Sequence, residues 1–513
     1  MNDRHSAIAK NTIILYVRMV LNMLIGLYTS RLALQILGET SFGVYGVLIA
    51  IATFLFFLSG SLYTTATRFI TFEIGKGDIE RIRKTYGSIQ YLYIVLATII
   101  LISEETFGIY YLNNKAVIPG NIANSAGIAF QFCILSSIFY ILKSPAEIMI
   151  IANEKMDVFA KVNITENLSK LILLILLAQS ETTAPYLLPA YSAIFVLLYF
   201  MTFALFNGFV IKNYLNEGKC SIFPEKDNKI LSEALNFFAA DMYSSICNTA
   251  KSNGINLLQN LFFGPSANAS ALAAGQAQSG LMALADNFLF AVKPQLTKNY
   301  AEGNTKELNF LILWGTEIAA LLFLLIIIPV YLETDFIIRL WLGSPPPYVS
   351  VFLRIMLITM LYEILIQPIG HTIMSTGKIK KISFFYGTAG FASFICTGIA
   401  YKLGLPVHSS YICVLICTSI AAASIMFLAI KQIPSFNIYF FLKLIIKIAA
   451  HIFFIIVPSA LIYNVMDQGW MRLIAVCCTS TSLWLIVFFC FAFDKNMRLA
   501  IRQKIQHKIK SFF

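Results

Sequence analysis

Four polar side chains recur along the first apolar segment of the chain: Asn11, Arg18, Asn22 and Thr29. Their spacing is 7, 4 and 7 residues. On a helix that turns by about 100° per residue, they fall within about 20° of one line. A guanidinium on such a line suits phosphate, because its planar fork can donate two hydrogen bonds. Arg18, with Asn22 one turn further on, is therefore a candidate for contact with an anionic substrate.

A second polar line has the same spacing, at Asp241, Asn248, Ser252 and Gln259, with Lys251 at its edge. Rows of polar side chains are unfavourable in contact with lipid, so two interpretations remain for these two polar lines, called the first and second stripes below. They line a water-filled cavity in which Asn248, Lys251 and Ser252 contact substrate, or they join helices by hydrogen bonds. An ion pair across helices is the alternative for Lys251 and for the arginine of the first stripe.

Four acidic residues within 236–430, the second copy of the internal repeat described below, are candidates for ion coupling: Asp241, Asp286, Glu317 and Glu363. Any of them could bind H⁺ or Na⁺, and the sequence does not choose among them. Two pairs of opposite charge have the i, i+4 spacing of neighbours on one helix face, Lys143 with Glu147 and Glu166 with Lys170. Each of these is predicted to be a structural pair.

Membrane-spanning helices must position these side chains, and the composition indicates many of them. Of 513 residues, 58% are hydrophobic and 12% are charged, against about 25% charged residues in soluble domains. Apolar runs of about 20 residues recur, the length that crosses a bilayer as a helix. The sequence predicts an all-α polytopic membrane protein with about fourteen spans, at residues 12–34, 43–66, 87–110, 126–150, 158–178, 187–211, 236–260, 270–292, 309–331, 349–373, 383–403, 409–430, 441–463 and 471–493.

Lysine and arginine are concentrated in alternate loops, beginning with the N-terminal segment. Basic loops stay on the cytoplasmic side of a membrane, so both termini are predicted to be cytoplasmic. The basic tail at 494–513 carries interleaved Ile, Leu and Phe. It is predicted to lie on the anionic inner leaflet as an amphipathic helix, with partner binding as the alternative.

The chain contains an internal repeat. RFITFEIGKGD at 68–78 aligns with PQLTKNYAEGN at 294–304, so that Gly77 falls on Gly303. Two further matches have nearly the same offset along the chain: ANEKM at 152–156 with STGKI at 375–379, and LQIL at 34–37 with LQNL at 258–261. Two six-helix copies point the same way, because six is even, and a pseudo-two-fold axis along the membrane normal relates them. The predicted organisation is an N-terminal lobe at 1–211, a cytoplasmic linker at 212–235, a C-terminal lobe at 236–430, two further spans within 431–493 and the tail at 494–513.

The sequence carries no P-loop, no HExxH and no plausible Ser–His–Asp set. Nine cysteines lie almost all within apolar runs, without a CxxC pair, as small buried hydrophobic residues do. We expect no enzyme activity, no metal or other cofactor and no nucleic-acid partner. The formal net charge of +12 is attributed to the cytoplasmic loops.

Six stretches resemble the Wzx-like oligosaccharide flippases of bacterial surface polysaccharide assembly, within the multidrug/oligosaccharidyl-lipid/polysaccharide exporter superfamily. They are LGETSFGVYGVL at 37–48, ATRFITFEIGKGD at 66–78, FFGPSANASALAAGQ at 262–276, AVKPQLTKNYAEGN at 291–304, WLGSPPPYVSVFLR at 341–354 and STGKIKKI at 375–382. The resemblance implies twelve core spans in two six-helix lobes, sometimes with two more. It also implies a cavity whose basic residues attract pyrophosphate and acidic sugars. Arg18 agrees with that expectation, whereas the acidic residues of the C-terminal lobe make the cavity less cationic than the resemblance implies.

The implied function is to move a polyprenyl-pyrophosphate-linked oligosaccharide, of the kind that builds O-antigen, lipopolysaccharide or capsule, across the bacterial inner membrane by alternating access. Coupling to H⁺ or Na⁺ and contact with other polysaccharide assembly proteins are further expectations. The alternative is a cation-coupled multidrug or toxin extruder of the same fold, using Asp241 or Glu317. A membrane glycosyltransferase or polysaccharide polymerase would need a large external loop, and the predicted external loops are short.

Overall fold

The computed structural model describes the backbone of residues 2–180, 182–221, 223–375, 379–433 and 436–491. Side chains are described from residue 23 onward, except at 184 and at scattered helical positions within 236–244, 284–301, 375–381 and 490–491. The predicted basic tail at 494–513 lies outside the described residues.

All regular structure in the described part of the chain is helical. Each predicted span corresponds to one helix or to consecutive helices, and the short helix α13 is an addition that the apolar pattern did not predict. The helices are α1 Asn2–Ala52, α2 Phe56–Lys76, α3 Ile79–Ser103, α4 Ile109–Asn114, α5 Ala123–Leu142, α6 Ser144–Ala152, α7 Met156–Gln179, α8 Ala184–Tyr214, α9 Asn228–Thr249, α10 Ile255–Phe263, α11 Pro265–Ala301, α12 Thr305–Leu332, α13 Thr334–Leu342, α14 Val349–Ser375, α15 Ile379–Lys402, α16 Ser409–Gln432, α17 Ile438–Val465 and α18 Trp470–Phe491.

Eleven helical segments among the described residues are long and apolar enough to cross a membrane, so the chain is a multi-pass membrane protein. The segments α2, α9 with α10, and α11 are not among the eleven. Asn, Gln, Ser, Thr and Ala are frequent in them, and such helices face other helices or water more readily than lipid.

Helix boundaries recur at the offset of the sequence repeat. The step from the start of α3 at Ile79 to the start of α12 at Thr305 equals the step from Gly77 to Gly303. The starts of α5 and α14 are separated by the same step, and α7 and α15 have equal lengths. The chain also turns at Gly38 and again, one such step later, at Gly264, with φ of 72° and 74°. A duplicated bundle accounts for this regularity.

The polar turns of the two repeats have the same local structure. Gly77 and Gly303 follow α2 and α11 with φ of 78° and 69°, which glycine adopts without a Cβ penalty. The next residue caps the following helix in each case: the Asp78 side chain accepts from a backbone N–H of α3, and Asn304 accepts from α12. Each of these two polar turns therefore ends one helix and begins the next.

The first of two compact units comprises residues 1–280, 345–352 and 383–417. Within it α1 packs against α5 and α7, and α5 lies along α8. Its core includes Tyr86, Tyr93, Ile148 and Phe206, each at most 1% exposed. This unit does not have the same bounds as the predicted lobe at 1–211, which stays a prediction.

The second unit comprises the described residues within 281–344, 353–382 and 418–491. In it α12 packs against both α17 and α18. Arg472 makes a two-pronged pair with Glu333, with Nε to Oε1 at 2.7 Å and a terminal nitrogen to Oε2 at 2.9 Å. The indole N–H of Trp484 donates to the Leu321 carbonyl at 2.6 Å. These polar contacts attach α18 to α12 and to the junction of α12 with α13.

Removing Arg472 should destabilise the protein strongly, because Glu333 is 1% exposed and would become an unpaired buried charge. We expect Arg472→Ala to lower the free energy of unfolding by about 3–5 kcal/mol, measured as an earlier thermal unfolding transition in detergent. Arg339→Ala is the control, since Arg339 is exposed on α13. A double Glu333→Leu, Arg472→Leu variant should recover much of the loss. Equal transitions for Arg472→Ala and Arg339→Ala would contradict this role.

Candidate functional site

Three of the nine predicted site residues have side chains outside the description: Arg18 and Asn22 on α1, and Asp241 on α9. Their proposed contacts with substrate or ions therefore stay predictions.

Asn248, Lys251 and Ser252, the predicted substrate-contacting residues of the second stripe, lie close together where α9 ends. A five-residue π-helical turn, Ala250–Gly254, joins α9 to α10. The Ser252 hydroxyl donates to the Asn248 carbonyl at 3.1 Å, and both residues are exposed. Lys251 is partly buried, with its stem close to Gly390 of α15, where an added Cβ would lie 3.6 Å from the Lys251 Cβ.

The predicted ion-coupling acids of the second unit have separate partners. Glu317 accepts from the Lys447 ammonium at 2.6 Å, and Asp286 accepts from the Gln367 amide at 2.9 Å. Glu363 is partly buried one turn before Gln367 on α14. Among the described residues, no group of three or more His, Cys, Asp or Glu side chains is placed to hold a metal ion.

A cavity of about 370 Å³ with a mixed polar and apolar lining, called the polar cavity below, lies within the first unit and is formed by α1, α2, α5, α7, α8 and α11. This volume falls in the range of small-molecule sites, about 300–1,000 Å³. One lysine, four tyrosines and several smaller polar side chains line it: Lys170, Tyr45, Tyr140, Tyr191, Tyr199, Thr29, Ser30, Thr53, Ser136, Ser137 and Gln276. Such a lining combines one positive charge, hydroxyl groups and flat aromatic faces.

Aromatic contacts hold the cavity wall in place. Tyr45 packs edge-on against Tyr191 with ring centroids 4.7 Å apart, and lies parallel to Phe195 at 5.7 Å. Tyr140 contacts Tyr199 at 5.3 Å. Offset and edge-on pairs of this kind add about 0.5–1.5 kcal/mol each beyond area burial. The wall is therefore built before any ligand enters.

Lys143 connects three helices through a buried charge network. Its ammonium lies 3.9 Å from Glu147 and 3.7 Å from Glu166, and 4.9 Å from the centre of the Tyr140 ring. The Tyr63 hydroxyl donates to Glu147 at 3.1 Å. The predicted pair of Lys143 with Glu147 is thus confirmed, as one arm of a larger network.

The predicted pair of Glu166 with Lys170 makes no direct contact, because the Lys143 ammonium lies 3.7 Å from the Glu166 carboxylate, although Glu166 still acts on Lys170 electrostatically. Lys143 lies at the break between α5 and α6, where Pro145 occupies the first turn of α6. Its ammonium contacts Glu166 of α7 from this neighbouring segment. Within the part of the chain whose side chains are described, no carboxylate lies within 4 Å of the Lys170 ammonium. That ammonium lies 5.1 Å from the Phe195 ring centre, beside the cavity.

The two polar stripes differ at the ends that are described. Thr29, the last member of the first stripe, lines the polar cavity, as the cavity interpretation predicts. Gln259, the last member of the second stripe, is fully buried and donates to Ser410 of α16 at 3.0 Å. That contact joins helices, while the substrate contacts expected of both stripes stay predictions.

Sequence reasoning missed Lys170 and the tyrosine wall. The i, i+4 spacing paired Lys170 with Glu166 of its own helix. It could not show that Lys143, from another segment of the chain, contacts the same carboxylate. One signal was available: Tyr191, Phe195 and Tyr199 recur every four residues on α8, so two polar-tipped rings share one face.

Comparison with solved structures identifies the fold. The lipid II flippase MurJ in its inward closed conformation superimposes with a TM-score of 0.67, at 14% identity, over 94% of this chain and 98% of that one. An inward-facing multidrug resistance MATE family transporter of the MOP superfamily gives 0.63, at 14% identity, over 83% and 98%. The Vibrio cholerae MATE transporter VcmN in the bent form gives 0.54, at 14% identity, over 85% and 99%.

The chain therefore has the fold shared by MurJ and the MATE transporters of the MOP superfamily. No protein-family model and no curated protein sequence matches it. At this level of identity the likeness is one of fold alone, and the substrate has to be argued from the cavity.

Two substitutions of the same kind should have different effects on stability. Lys143→Met leaves two partly buried carboxylates without this cation, and we expect a loss of about 1–3 kcal/mol. Lys170→Met removes an ammonium with no carboxylate within 4 Å among the described side chains, so unfolding in detergent should be unchanged or occur at higher temperature.

Lys161→Met is the control for this comparison, since Lys161 is on α7 as well, is exposed and pairs only with Asp157 at 3.5 Å. An exposed pair contributes about 0–1 kcal/mol. Equal destabilisation by Lys143→Met and Lys170→Met would show that the charges of this region are shared differently.

Proposed function

We propose that this protein is a flippase for polyprenyl-pyrophosphate-linked oligosaccharide, of the O-antigen, lipopolysaccharide or capsule type, in a bacterial inner membrane with both termini in the cytoplasm. The observation that carries the proposal is the polar cavity with Lys170 and its four tyrosines. Lys170 offers a charged donor for a phosphate or acidic sugar. The tyrosine hydroxyls can hydrogen-bond sugar hydroxyls, while the flat ring faces suit the C–H faces of sugar rings.

The fold supports the same conclusion at a coarser level. A hydrated sugar head cannot cross hydrocarbon unaided, whereas a polyprenyl tail can remain in lipid throughout. A polar cavity inside a transporter fold of the MurJ and MATE type supplies the missing path for the head. Transport then requires two conformations with different affinities for the head group.

Gradient coupling is part of the proposal. Asp286 and Glu363 remain the candidates of the second unit for H⁺ or Na⁺, together with Asp241. Glu317 is paired with Lys447 at 2.6 Å, which fits a structural role better than an ion-exchange role.

The decisive experiment is deletion of the gene in its native host. We expect loss of surface polysaccharide and accumulation of polyprenyl-linked sugar units on the inner leaflet. Normal glycan with increased sensitivity to organic cations would overturn the flippase and favour the multidrug extruder.

Complementation of that deletion tests Lys170 directly. We expect Lys170→Met to reduce polysaccharide export by about tenfold or more, since a hydrogen bond to a charged group contributes about 1.5–3 kcal/mol. Lys170→Arg should restore part of the export, and Lys161→Met should be normal. Arg18→Ala should fail to complement at normal expression. Full export by Lys170→Met would remove this lysine from the binding site.

A further inference from the structure

Glu104 is a buried acid that the cavity described above does not explain. It is 3% exposed and begins a π-helical turn, Glu104–Gly108, that joins α3 to α4. It lines a second cavity of about 560 Å³, whose other lining is mostly apolar and includes Phe107, Leu257 and Phe394. A carboxylate in such surroundings is costly, and π-helical turns occur frequently at functional sites.

Close packing fixes the position of this turn. At Gly108 an added Cβ would lie 2.8 Å from the Phe130 ring of α5 and 3.3 Å from Ile51 of α1. The turn is therefore held against two helices, and the Glu104 carboxyl has little freedom to move toward solvent.

The hydrogen bonds around Glu104 accommodate both of its protonation states. The Ser137 hydroxyl lies 3.2 and 3.0 Å from the two carboxyl oxygens and 2.8 Å from the Ile134 carbonyl. When Glu104 is ionised, Ser137 donates its hydrogen to the carboxylate. When Glu104 is protonated, the acid donates to the Ser137 oxygen, and Ser137 turns its hydrogen to the carbonyl. Neither state leaves the carboxyl group without a partner.

Ser137 connects the two cavities. It lines the polar cavity that contains Lys170, while its hydrogen-bond partner Glu104 lines the apolar one. A change in the protonation of Glu104 therefore reverses the direction of a hydrogen bond in the wall of the polar cavity.

The other titratable groups described near Glu104 are few. Glu105 follows it, is exposed and accepts from the Gln131 amide at 3.4 Å. Cys133 of α5 lies on the polar-cavity side, and Tyr111 of α4 lines the apolar cavity with its hydroxyl unpartnered in the described structure. The α1, α10 and α15 residues that line the apolar cavity are uncharged.

We propose that Glu104 is a reversible proton-binding site whose occupancy is transmitted through Ser137 to the wall of the Lys170 cavity. The proton enters as the O–H of the carboxylic acid and leaves the carboxylate behind, with no other group oxidised or reduced. This proposal concerns the protein without substrate, so it stands or fails separately from the flippase function.

Infrared difference spectroscopy of the purified full chain tests the site, because a protonated carboxyl group has its own carbonyl-stretch band. We expect a band that disappears reversibly as the pH is raised. It should be absent from Glu104→Gln and unchanged in Glu105→Gln, the matched exposed neighbour. Glu104→Asp, which keeps a carboxyl group, should retain a band at a shifted frequency.

Substitution of Ser137 tests the connection to the polar cavity. Ser137→Ala should shift the pH at which the band disappears, because the only hydroxyl described within hydrogen-bonding distance of Glu104 is lost. Ser136→Ala should not shift it, although Ser136 lines the same cavity, because its hydroxyl donates to the Cys133 carbonyl.

Three results would overturn the proposal. The band could persist in Glu104→Gln, which would assign it to another acid. It could be lost in Glu104→Gln without ever responding to pH in the wild type, which would leave a permanently protonated structural group. Identical titrations of the Ser137→Ala and wild-type proteins would remove the path through Ser137.

Discussion

The cost of burying a charge away from water governs which helices of this protein contact each other. Lys143 is 6% exposed and is accommodated because two carboxylates and an aromatic ring surround its ammonium. Because the Lys143 ammonium contacts Glu166, Lys170 lines the polar cavity without a direct ion pair to that carboxylate. The proposed contact of Lys170 with substrate therefore depends on a charge arrangement one helix away, at the break between α5 and α6 beside Pro145.

The same constraint explains how the C-terminal helices are attached. Apolar side chains gain nothing by leaving lipid for another apolar helix surface, so hydrophobicity alone does not choose partners within a membrane. Polar contacts do, because each has few acceptable positions. Glu333 with Arg472 and Trp484 with the Leu321 carbonyl fix α18 in this way, and Lys447 with Glu317 fixes α17 against α12.

The sequence predicted what local chemistry determines. Apolar length identified the helices, and the repeat was visible because Gly77, Asp78, Gly303 and Asn304 are helix-end signals that act over a few residues. The short helix α13 was missed, since it does not have the length of a membrane-spanning pattern. Lys170 was expected to contact Glu166, its neighbour on α7, but Lys143 contacts that carboxylate instead. The spacing of residues along one helix cannot reveal a contact from another helix.

The two proposals together imply that proton binding at Glu104 and anion binding near Lys170 are linked. An ionised Glu104 opposes a second negative charge on the other side of Ser137, while the protonated acid removes that repulsion and redirects the Ser137 hydroxyl. Anion binding near Lys170 and proton binding at Glu104 therefore favour each other, and thermodynamic linkage makes the effect equal in both directions. A shared fold with MurJ and MATE proteins does not specify such a coupling. It would arise from the hydrogen bond between Ser137, which lines the polar cavity, and Glu104, which lines the apolar one.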